Sequence, residues 1–189
     1  MTIETRSLTG AEIKAIAARI DRPLVLVGMM GVGKSTIGRK LAQLLDLPFR
    51  DADEEIERAA QMSIADIFER FGEAHFRDGE RRVIARLLEG GPGVLATGGG
   101  AFVQPDTRAL IHARGIAIWL DSDVATLVDR VTRKDTRPLL RGGDPAEIIT
   151  RLKAEREGAY SEASIKVMSD AGPHGEAVYR ILKALDSCL

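Results

Sequence analysis

The sequence predicts an α/β fold, a three-layer α/β/α sandwich built on a five-stranded parallel sheet. Three observations support this fold class. Short apolar runs alternate with helical patterns along the chain, a glycine-rich stretch at 28–36 directly follows the first run, and no repeat or linker interrupts the 189 residues. Strands that alternate with helices are typical of βαβ units, in which helices cover both faces of a parallel sheet. We therefore expect one domain spanning residues 1–189.

Each apolar run is assigned to a strand and each amphipathic pattern to a helix. The predicted strands lie at 24–27, 49–51, 93–97, 115–120 and 165–168. The predicted helices lie at 33–45, 54–60, 63–90 with an interruption at Gly72, 104–113, 124–131, 147–161 and around 177–185. Before the first strand, Ile13, Ile16 and Ile20 recur at helical spacing. This spacing predicts that residues 1–22 form a helical extension packed on the domain, with a partner-docking helix as the alternative.

The stretch from Gly28 to Thr36 is the strongest functional signal in the sequence. It contains the complete spacing G-x-x-x-x-G-K-[ST], placed between a predicted strand and a predicted helix. In such a loop, glycines let successive backbone N–H groups face phosphate, the lysine reaches the outer phosphates, and the hydroxyl ligates Mg²⁺. The candidate nucleotide-binding residues are Gly31, Val32, Gly33, Lys34, Ser35 and Thr36. The motif predicts a protein that binds a nucleoside triphosphate with Mg²⁺, and leaves open which molecule receives the phosphoryl group.

Composition restricts the classes of protein that fit this chain. The 27 Lys and Arg residues nearly balance the 28 Asp and Glu residues, so no field over the whole chain favours nucleic acid or an anionic membrane. Cys188 is the single cysteine and forms no internal disulfide, which fits a reducing compartment. No apolar run reaches the roughly 18 residues that span a bilayer. We expect a cytoplasmic, monomeric protein without nucleic-acid or membrane partners.

Two carboxylates follow the second predicted strand. Asp51 and Asp53 lie at its carboxyl end, which in an open parallel sheet faces the ligand crevice. If the strand persists, alternation puts both side chains on one side. One could then approach the Mg²⁺ hydration shell, and the other could accept a proton from an attacking hydroxyl. Alternatively, one of them simply caps the helix that follows, and the spacing leaves both interpretations open.

Two further patterns could contact an acceptor. Arg77 and Glu80 are i,i+3 neighbours on a predicted helix, so Glu80 could hold the guanidinium for a substrate carboxylate; a solvated helix face is the alternative. Gly98, Gly99 and Gly100 end the third predicted strand, where they would allow the backbone to approach a ligand closely, unless they form a plain turn.

Two other segments carry charge near predicted strand or helix ends. Asp121 ends the fourth predicted strand, a position at which a carboxylate that organises Mg²⁺ is often found in P-loop proteins. We regard it as a decoy, because capping of the next helix explains it together with Asp123. Residues 132–144 are basic and punctuated by Pro and Gly, which predicts a mobile lid over the phosphates or, alternatively, a solvated basic loop.

Several short motifs, taken in order, are more specific than the phosphate-binding loop. They are Asp51-Ala52-Asp53, Ser63–Phe68, Phe76–Glu80, Gly98–Ala101 and Arg137-Pro138-Leu139-Leu140. With these motifs the chain resembles the shikimate kinase family over about residues 23–185. The resemblance implies a fold of the nucleoside-monophosphate-kinase type, with strand order 2-3-1-4-5 and a lid. It also implies transfer of the γ-phosphoryl group of ATP to the 3-hydroxyl of shikimate, in the pathway to chorismate and the aromatic amino acids.

The resemblance implies a substrate-binding region at residues 51–90. It also implies a role for each residue that would contact the acceptor, some of which lie outside that region. Asp53 corresponds to the residue that binds the shikimate hydroxyls and serves as candidate base. Arg77 and Arg156 correspond to the pair that holds the shikimate carboxylate. Gly99 corresponds to a backbone contact to substrate, with Gly98 and Gly100 on either side of it.

It implies roles on the nucleotide side as well. Lys34 and Arg137, the latter in the lid, correspond to cations that stabilise the transferred phosphoryl group. Arg130 corresponds to the side chain that lies against adenine, with the loop 171–174 on the other side. Ser35 corresponds to the Mg²⁺ ligand, and Asp51 to a contact through water, so that ATP is the co-substrate and Mg²⁺ the cofactor.

One departure from the family pattern concerns Gly158, which stands where the family commonly has proline between Arg156 and Tyr160. We expect a looser local backbone there, with Arg156 still a ligand.

The sequence also leaves two alternative functions open: a kinase for another small acceptor such as gluconate, and a non-metabolic P-loop switch protein.

Overall fold

The computed structural model describes residues 8–133, 143–169 and 172–189. Five parallel strands form one sheet: β1 (Leu24–Val27), β2 (Phe49–Asp51), β3 (Val94–Ala96), β4 (Ile116–Asp121) and β5 (Ile165–Met168). Their order across the sheet is β2-β3-β1-β4-β5, and every pairing is parallel. The predicted fold class and strand order are therefore confirmed.

Eight helices connect or flank these strands within the described residues. They are α1 (Gly10–Arg19), α2 (Lys34–Leu45), α3 (Ala52–Ala60), α4 (Ile64–Leu88), α5 (Pro105–Arg114), α6 (Val124–Thr132), α7 (Pro145–Tyr160) and α8 (His174–Cys188). A short 3₁₀ turn at Ala101–Val103, which the sequence analysis did not predict, follows β3. The helices α1, α2 and α8 contact one another, whereas α4 contacts α3 and α5, and α6 contacts α7. Parallel strands need such helical crossovers.

Strand β1 lies at the centre of the sheet and organises the core. Its residue Leu24 lies opposite Val94 of β3 on one side and Ile116 of β4 on the other. All four residues of β1 are fully buried, as expected for a continuous apolar strand with both faces covered. The edge strand β5 instead alternates, with Ile165 and Val167 buried.

Residues before β1 include a capped helix that packs on the domain. The Thr9 hydroxyl accepts a hydrogen bond from the backbone of Glu12 while the Glu12 carboxylate accepts one from the Thr9 backbone, so a capping box starts α1. Ile16 is buried against the core, and Arg19 pairs with Asp186 of α8. The predicted packing of this extension is confirmed for Gly10–Arg19. No helix within the described ranges is long and apolar enough to cross a membrane.

The boundary between β2 and α3 differs from the expected one. The strand ends at Asp51 and the helix begins at Ala52, so the strand does not persist to Asp53. The reason is that the Asp51 carboxylate accepts a hydrogen bond from the Asp53 backbone N–H at 3.0 Å and caps the helix. Asp53 therefore lies in the first turn of α3, and the expected strand alternation of the two carboxylates is wrong.

The sheet order places several loops at one edge. After β1 the chain forms β2 and β3 on one side of it and then β4 and β5 on the other, so β1 is a switch point of the topology. In open α/β sheets, ligands bind beyond the carboxyl ends of strands at such a point. The glycine-rich loop follows β1, and Ser122 follows β4. Asp53 lies two residues after the end of β2, and the three glycines begin two residues after the end of β3.

Candidate functional site

The loop between β1 and α2 has the backbone geometry of a phosphate-binding loop. Gly33 precedes α2 with a φ of 100°, a left-handed conformation that favours glycine over other residues. The buried Lys34 side chain donates from Nζ to the carbonyls of Gly28, at 2.7 Å, and Met29, at 2.9 Å. The ammonium thus lies over the loop itself. Together with the N-terminus of α2, it makes this end of the loop strongly favourable for anions.

Ser35 and Asp51 join the loop to the end of β2. The Ser35 hydroxyl donates to Oδ2 of Asp51 at 2.5 Å, while Oδ1 of the same carboxylate caps α3. The capping interpretation of Asp51 is therefore confirmed, and its second oxygen faces the loop. A hydroxyl and a carboxylate are the hard oxygen donors that Mg²⁺ prefers, so these two residues fit the cation.

Asp53 and Glu80 approach the first glycine of the turn after β3. A Cβ atom at Gly98 would lie 2.9 Å from Glu80 Oε1 and 3.0 Å from Asp53 Oδ1, so both carboxylates contact this glycine. Glu80 is only 1% exposed, and its Oε1 has no hydrogen-bond partner among the described residues. Asp53 is half-buried. Its carboxylate therefore lies where an acceptor bound beside the glycine turn would meet it.

Arg77 is held by two carboxylates of its own helix. Its Nη1 donates to Glu80 at 2.7 Å, and its Nε and Nη2 donate to Glu73 at 3.3 Å. The predicted pairing of Arg77 with Glu80 is confirmed. Burial raises the pKa of Glu80 above its usual range, and the Arg77 guanidinium acts against this rise. The buried carboxylate and the guanidinium therefore depend on each other.

The three glycines after β3 form a turn that two arginines flank. The Gly99 carbonyl accepts hydrogen bonds from Arg156 Nη1, at 3.2 Å, and from the Tyr160 hydroxyl. A Cβ atom at Gly100 would lie 2.4 Å from Arg77 Nη2, so the guanidinium packs directly on this glycine. Arg77 and Arg156 therefore approach consecutive residues of one turn from α4 and α7. Two guanidinium groups so placed suit a single carboxylate ligand.

The glycine turn also touches the phosphate-binding loop. A Cβ atom at Gly99 would lie 3.2 Å from the backbone nitrogen of Met30 and 3.6 Å from the Gly28 carbonyl oxygen. A ligand held at the turn is thus adjacent to a ligand held at the loop. This proximity is what direct transfer of a group between two bound molecules requires.

On the opposite side of the loop, Arg130 and Ser169 meet at the Val32 carbonyl. Arg130 Nη1 donates to this oxygen at 3.1 Å, and the Ser169 hydroxyl donates to it at 3.0 Å. His174 also lies close, because a Cβ atom at Gly33 would be 3.1 Å from its Cε1. Burial lowers the pKa of His174, and the charges of Arg130 and Lys40 lower it further, so the imidazole is neutral at pH 7.

Asp121 has a different explanation from the expected one. Asp123, not Asp121, caps α6 by accepting from the Thr126 backbone at 2.8 Å. The Asp121 carboxylate pairs instead with Lys153 at 2.9 Å and Lys166 at 3.1 Å. Burial alone would raise the pKa of Asp121, but the two lysines outweigh it and lower the pKa. The capping explanation is therefore correct for Asp123 and wrong for Asp121.

Some predicted site residues fall outside the described ranges. They are Arg137, Ala171 and all of the predicted lid except 132–133 and 143–144. Thr36 is exposed in the first turn of α2. Gly158 lies inside α7, which runs unbroken to Tyr160.

Two features of the site were not predicted from the sequence. The burial of Glu80 depends on how α4 packs beside Gly98, which lies 18 residues further along the chain. The Tyr160 hydroxyl reaches Gly99, which is 61 residues away in sequence. The available signal was the i,i+4 spacing of Arg156 and Tyr160, which puts both side chains on one face of a helix.

A family model, a curated relative and two solved structures identify the family of this chain. The family model for shikimate kinase matches residues 30–186. A shikimate kinase from Novosphingobium aromaticivorans is 63% identical over 186 residues, which cover 96% of each chain. The structure of shikimate kinase from Acinetobacter baumannii in complex with shikimate matches with a TM-score of 0.86 and 35% identity, covering 95% of this chain and 98% of that one. Shikimate kinase from Aquifex aeolicus matches with a TM-score of 0.77 and 35% identity, covering 88% of this chain and 97% of that one.

Proposed function

This chain belongs to the shikimate kinase family, and we propose how its residues carry out the reaction of an ATP-dependent kinase acting on shikimate. In that reaction the γ-phosphoryl group of ATP is transferred to the 3-hydroxyl of shikimate, giving ADP and shikimate 3-phosphate. The observation that carries the proposal is the glycine turn 98–100, which Asp53, Arg77 and Arg156 approach beside the phosphate-binding loop. A gluconate kinase or a switch protein is not favoured, because the relatives are shikimate kinases.

Arg77 and Arg156 bind the substrate carboxylate. Both guanidinium groups are already oriented, one by Glu80 at 2.7 Å and the other by the Gly99 carbonyl at 3.2 Å. Little side-chain entropy is then lost when the carboxylate binds. The backbone of Gly98, Gly99 and Gly100 lets the shikimate ring approach closely, since no side chain stands in the way.

Asp53 orients the 3-hydroxyl and receives its proton. Phosphoryl transfer leaves little covalent chemistry for a protein, so correct positioning of the attacking oxygen supplies much of the rate. The Asp53 carboxylate, at the start of α3, lies against Gly98 next to the Glu80 carboxylate that pairs with Arg77. Proton acceptance late in the transfer adds general-base catalysis.

Lys34 and the lid residue Arg137 neutralise charge on the transferred group. The Lys34 ammonium lies over the Gly28 and Met29 carbonyls, at the inner side of the loop that holds the phosphates. Residues 31–36 supply backbone N–H groups and hydroxyls to the phosphates, and Arg130 lies against adenine. When the lid 132–144 closes, it excludes water, which would otherwise compete with shikimate as acceptor.

Mg²⁺ is the cofactor, bound by Ser35 directly and by Asp51 through water. Held by these two residues, the ion would supply positive charge that offsets the negative charge of the phosphates during transfer. The 2.5 Å contact of Ser35 with Asp51 holds the hydroxyl and the carboxylate together for this purpose.

Replacing Asp51 with asparagine should weaken Mg²⁺ binding without unfolding α3, because asparagine caps helices as well as aspartate does. We expect the Mg²⁺ concentration for half-maximal turnover to rise about 10-fold, in line with the worth of a charged ligand contact. Calorimetric titration with Mg·ADP gives a second readout, in which the variant should bind more weakly. Unchanged Mg²⁺ dependence and unchanged Mg·ADP affinity would remove Asp51 from the metal site.

Replacing Gly100 with alanine should displace the Arg77 guanidinium. The new Cβ would lie 2.4 Å from Arg77 Nη2 and 2.8 Å from its Cζ, and the flexible side chain must move away. We expect a shikimate KM raised about 10-fold, with the KM for ATP unchanged. Gly79→Ala is the matched control, since a Cβ there meets nothing within 4 Å in the middle of α4. Equal KM values in the two variants would contradict the placement of Arg77.

The activity itself is tested by ADP release from purified protein with Mg·ATP, with and without shikimate. Gluconate and nucleoside monophosphates serve as alternative acceptors. We expect release that depends on shikimate alone. Release with another acceptor would still agree with the assignment of the phosphate-binding loop, but it would overturn the assignment of Arg77, Gly99 and Arg156. No acceptor-dependent release from protein that binds ATP would favour a switch protein.

A further inference from the structure

Tyr160 is the largest fully buried side chain of the described core, and its polar end points at the glycine turn. The residue is 1% exposed and lies at the last position of α7. Its hydroxyl donates to the Gly99 carbonyl, the same oxygen that accepts from Arg156. Burial raises the pKa of Tyr160 to about 12, so the hydroxyl keeps its proton throughout the neutral range and remains a donor.

The ring of Tyr160 is fixed from behind. It stacks on Trp119 of β4 with ring centroids 5.8 Å apart and an angle of 28° between the planes. The Lys166 ammonium lies 3.9 Å from the centre of the Trp119 ring. Aromatic stacking and cation–π contact both restrict the indole. The hydroxyl is therefore held at a definite place relative to the sheet.

This contact sets the orientation of one peptide group in the turn. The carbonyl of Gly99 points toward α7, and in a planar trans peptide the N–H of the next residue, Gly100, points the opposite way. Among the described residues, no backbone oxygen accepts a hydrogen bond from the N–H of Gly99 or Gly100. Glycine peptides reorient easily, so without the hydroxyl this peptide would be held less firmly, although the Gly99 carbonyl would keep its 3.2 Å contact with Arg156.

We infer that Tyr160 is a positioning residue for the acceptor, whose hydroxyl fixes the Gly99–Gly100 peptide so that its N–H faces shikimate and its carbonyl does not. The inference rests on the proposed function and extends it to a residue that touches neither substrate. A second consequence concerns Arg156, which shares the carbonyl with Tyr160 and depends on its position. The Tyr160 hydroxyl meets the Gly99 carbonyl and not the phosphate-binding loop itself, so the effect on the acceptor should be larger than that on the nucleotide.

Tyr160→Phe tests the inference, with Tyr179→Phe on α8 as the matched control. We expect the shikimate KM of Tyr160→Phe to rise about 3- to 10-fold, the loss for one neutral hydrogen bond, with the KM for ATP and kcat nearly unchanged. Calorimetric titration with shikimate should show the same loss of affinity. A purely structural role would lower the unfolding temperature without this selective change in KM.

The outcomes separate this inference from the function on which it rests. If the wild type lacks shikimate-dependent turnover, the proposed function fails. If the wild type is active and Tyr160→Phe keeps the KM values of Tyr179→Phe, the inference fails. Equal increases in both substrate constants would also overturn it. If Tyr160→Phe does not fold, Trp119→Phe carries the test, because it loosens the tyrosine ring and should raise the shikimate KM more than the KM for ATP; an unchanged shikimate KM would refute the role.

Discussion

Replacing Asp53 with asparagine should reduce kcat about 100- to 1,000-fold, within the range that a positioned general base contributes. The substitution keeps the size of the side chain and removes its capacity to accept the proton of the attacking hydroxyl. Asp53 lies in the first turn of α3 with its carboxylate beside Gly98, and the backbone N–H that it donates to Asp51 is unchanged by the substitution. The affinity for Mg·ATP, measured by calorimetric titration, should therefore stay close to that of the wild type.

Glu54→Gln is the matched control for this loss. Glu54 is the next residue in the same helical turn, and its carboxylate forms an exposed pair with Arg39 at 2.6 Å. Both substitutions remove one negative charge near the start of α3, but only one faces the glycine turn. Loss of ATP binding together with turnover, or an equal loss of turnover in Glu54→Gln, would count against the role of Asp53.

The second large effect concerns Arg77. Replacing it with alanine removes one of the two guanidinium groups that flank the glycine turn, and charged hydrogen bonds of this kind are worth about 1.5–3 kcal/mol. We expect the shikimate KM to rise about 10- to 100-fold, with the KM for ATP unchanged. Arg77→Lys should recover only part of the loss, because an ammonium cannot replace the planar fork. An unchanged shikimate KM in Arg77→Ala would show that this residue does not hold the carboxylate.

The same substitution leaves Glu80 buried without its closest partner, which lowers stability. Two controls separate this cost from the loss of binding. Arg82→Ala removes an exposed arginine from the same helix and should change neither KM nor stability by much. The double variant Arg77→Ala with Glu80→Gln removes the unpaired carboxylate, and should recover the unfolding temperature while the shikimate KM stays high.

The sequence predicted the sheet well because strand position follows from apolar runs between helical patterns. The β2 and β5 boundaries agree with the predicted ones, and the interruption of α4 at Gly72 is present as a non-helical residue with a φ of 80°. The phosphate-binding loop was predictable for a similar reason. Its glycines, lysine and hydroxyl are consecutive in sequence, so spacing alone defines their geometry.

The acceptor site could be predicted only in part, because it depends on contacts between distant elements. The spacing of Arg77 and Glu80 indicated a pair, but whether that pair was solvated or buried depended on the packing of α4 against the turn after β3. Asp51 raised a different difficulty. Helix capping and metal binding were both possible for it in sequence; the structure shows one carboxylate oxygen capping α3 and the other accepting from Ser35.

Asp121 was excluded as a metal ligand because it was expected to cap a helix, but the structure gives a different reason for its position. Its position after β4 imitated a metal ligand, and helix capping offered a local explanation. The carboxylate instead pairs with Lys153 on α7 and Lys166 on β5, residues 32 and 45 positions further along the chain. Local patterns favour local explanations, and only the folded chain reveals such long-range pairs.

The most direct test of the two-arginine clamp compares shikimate with its methyl ester, which lacks the carboxylate charge. The ratio of kcat/KM for shikimate to that for the ester is measured in the wild type and in Arg77→Ala. If Arg77 binds the carboxylate, the ratio should be large in the wild type and fall at least 10-fold in the variant. In the variant the shikimate carboxylate has one guanidinium partner fewer, so the ester, which lacks that charge, loses less by comparison. The same ratio in both proteins would contradict the clamp.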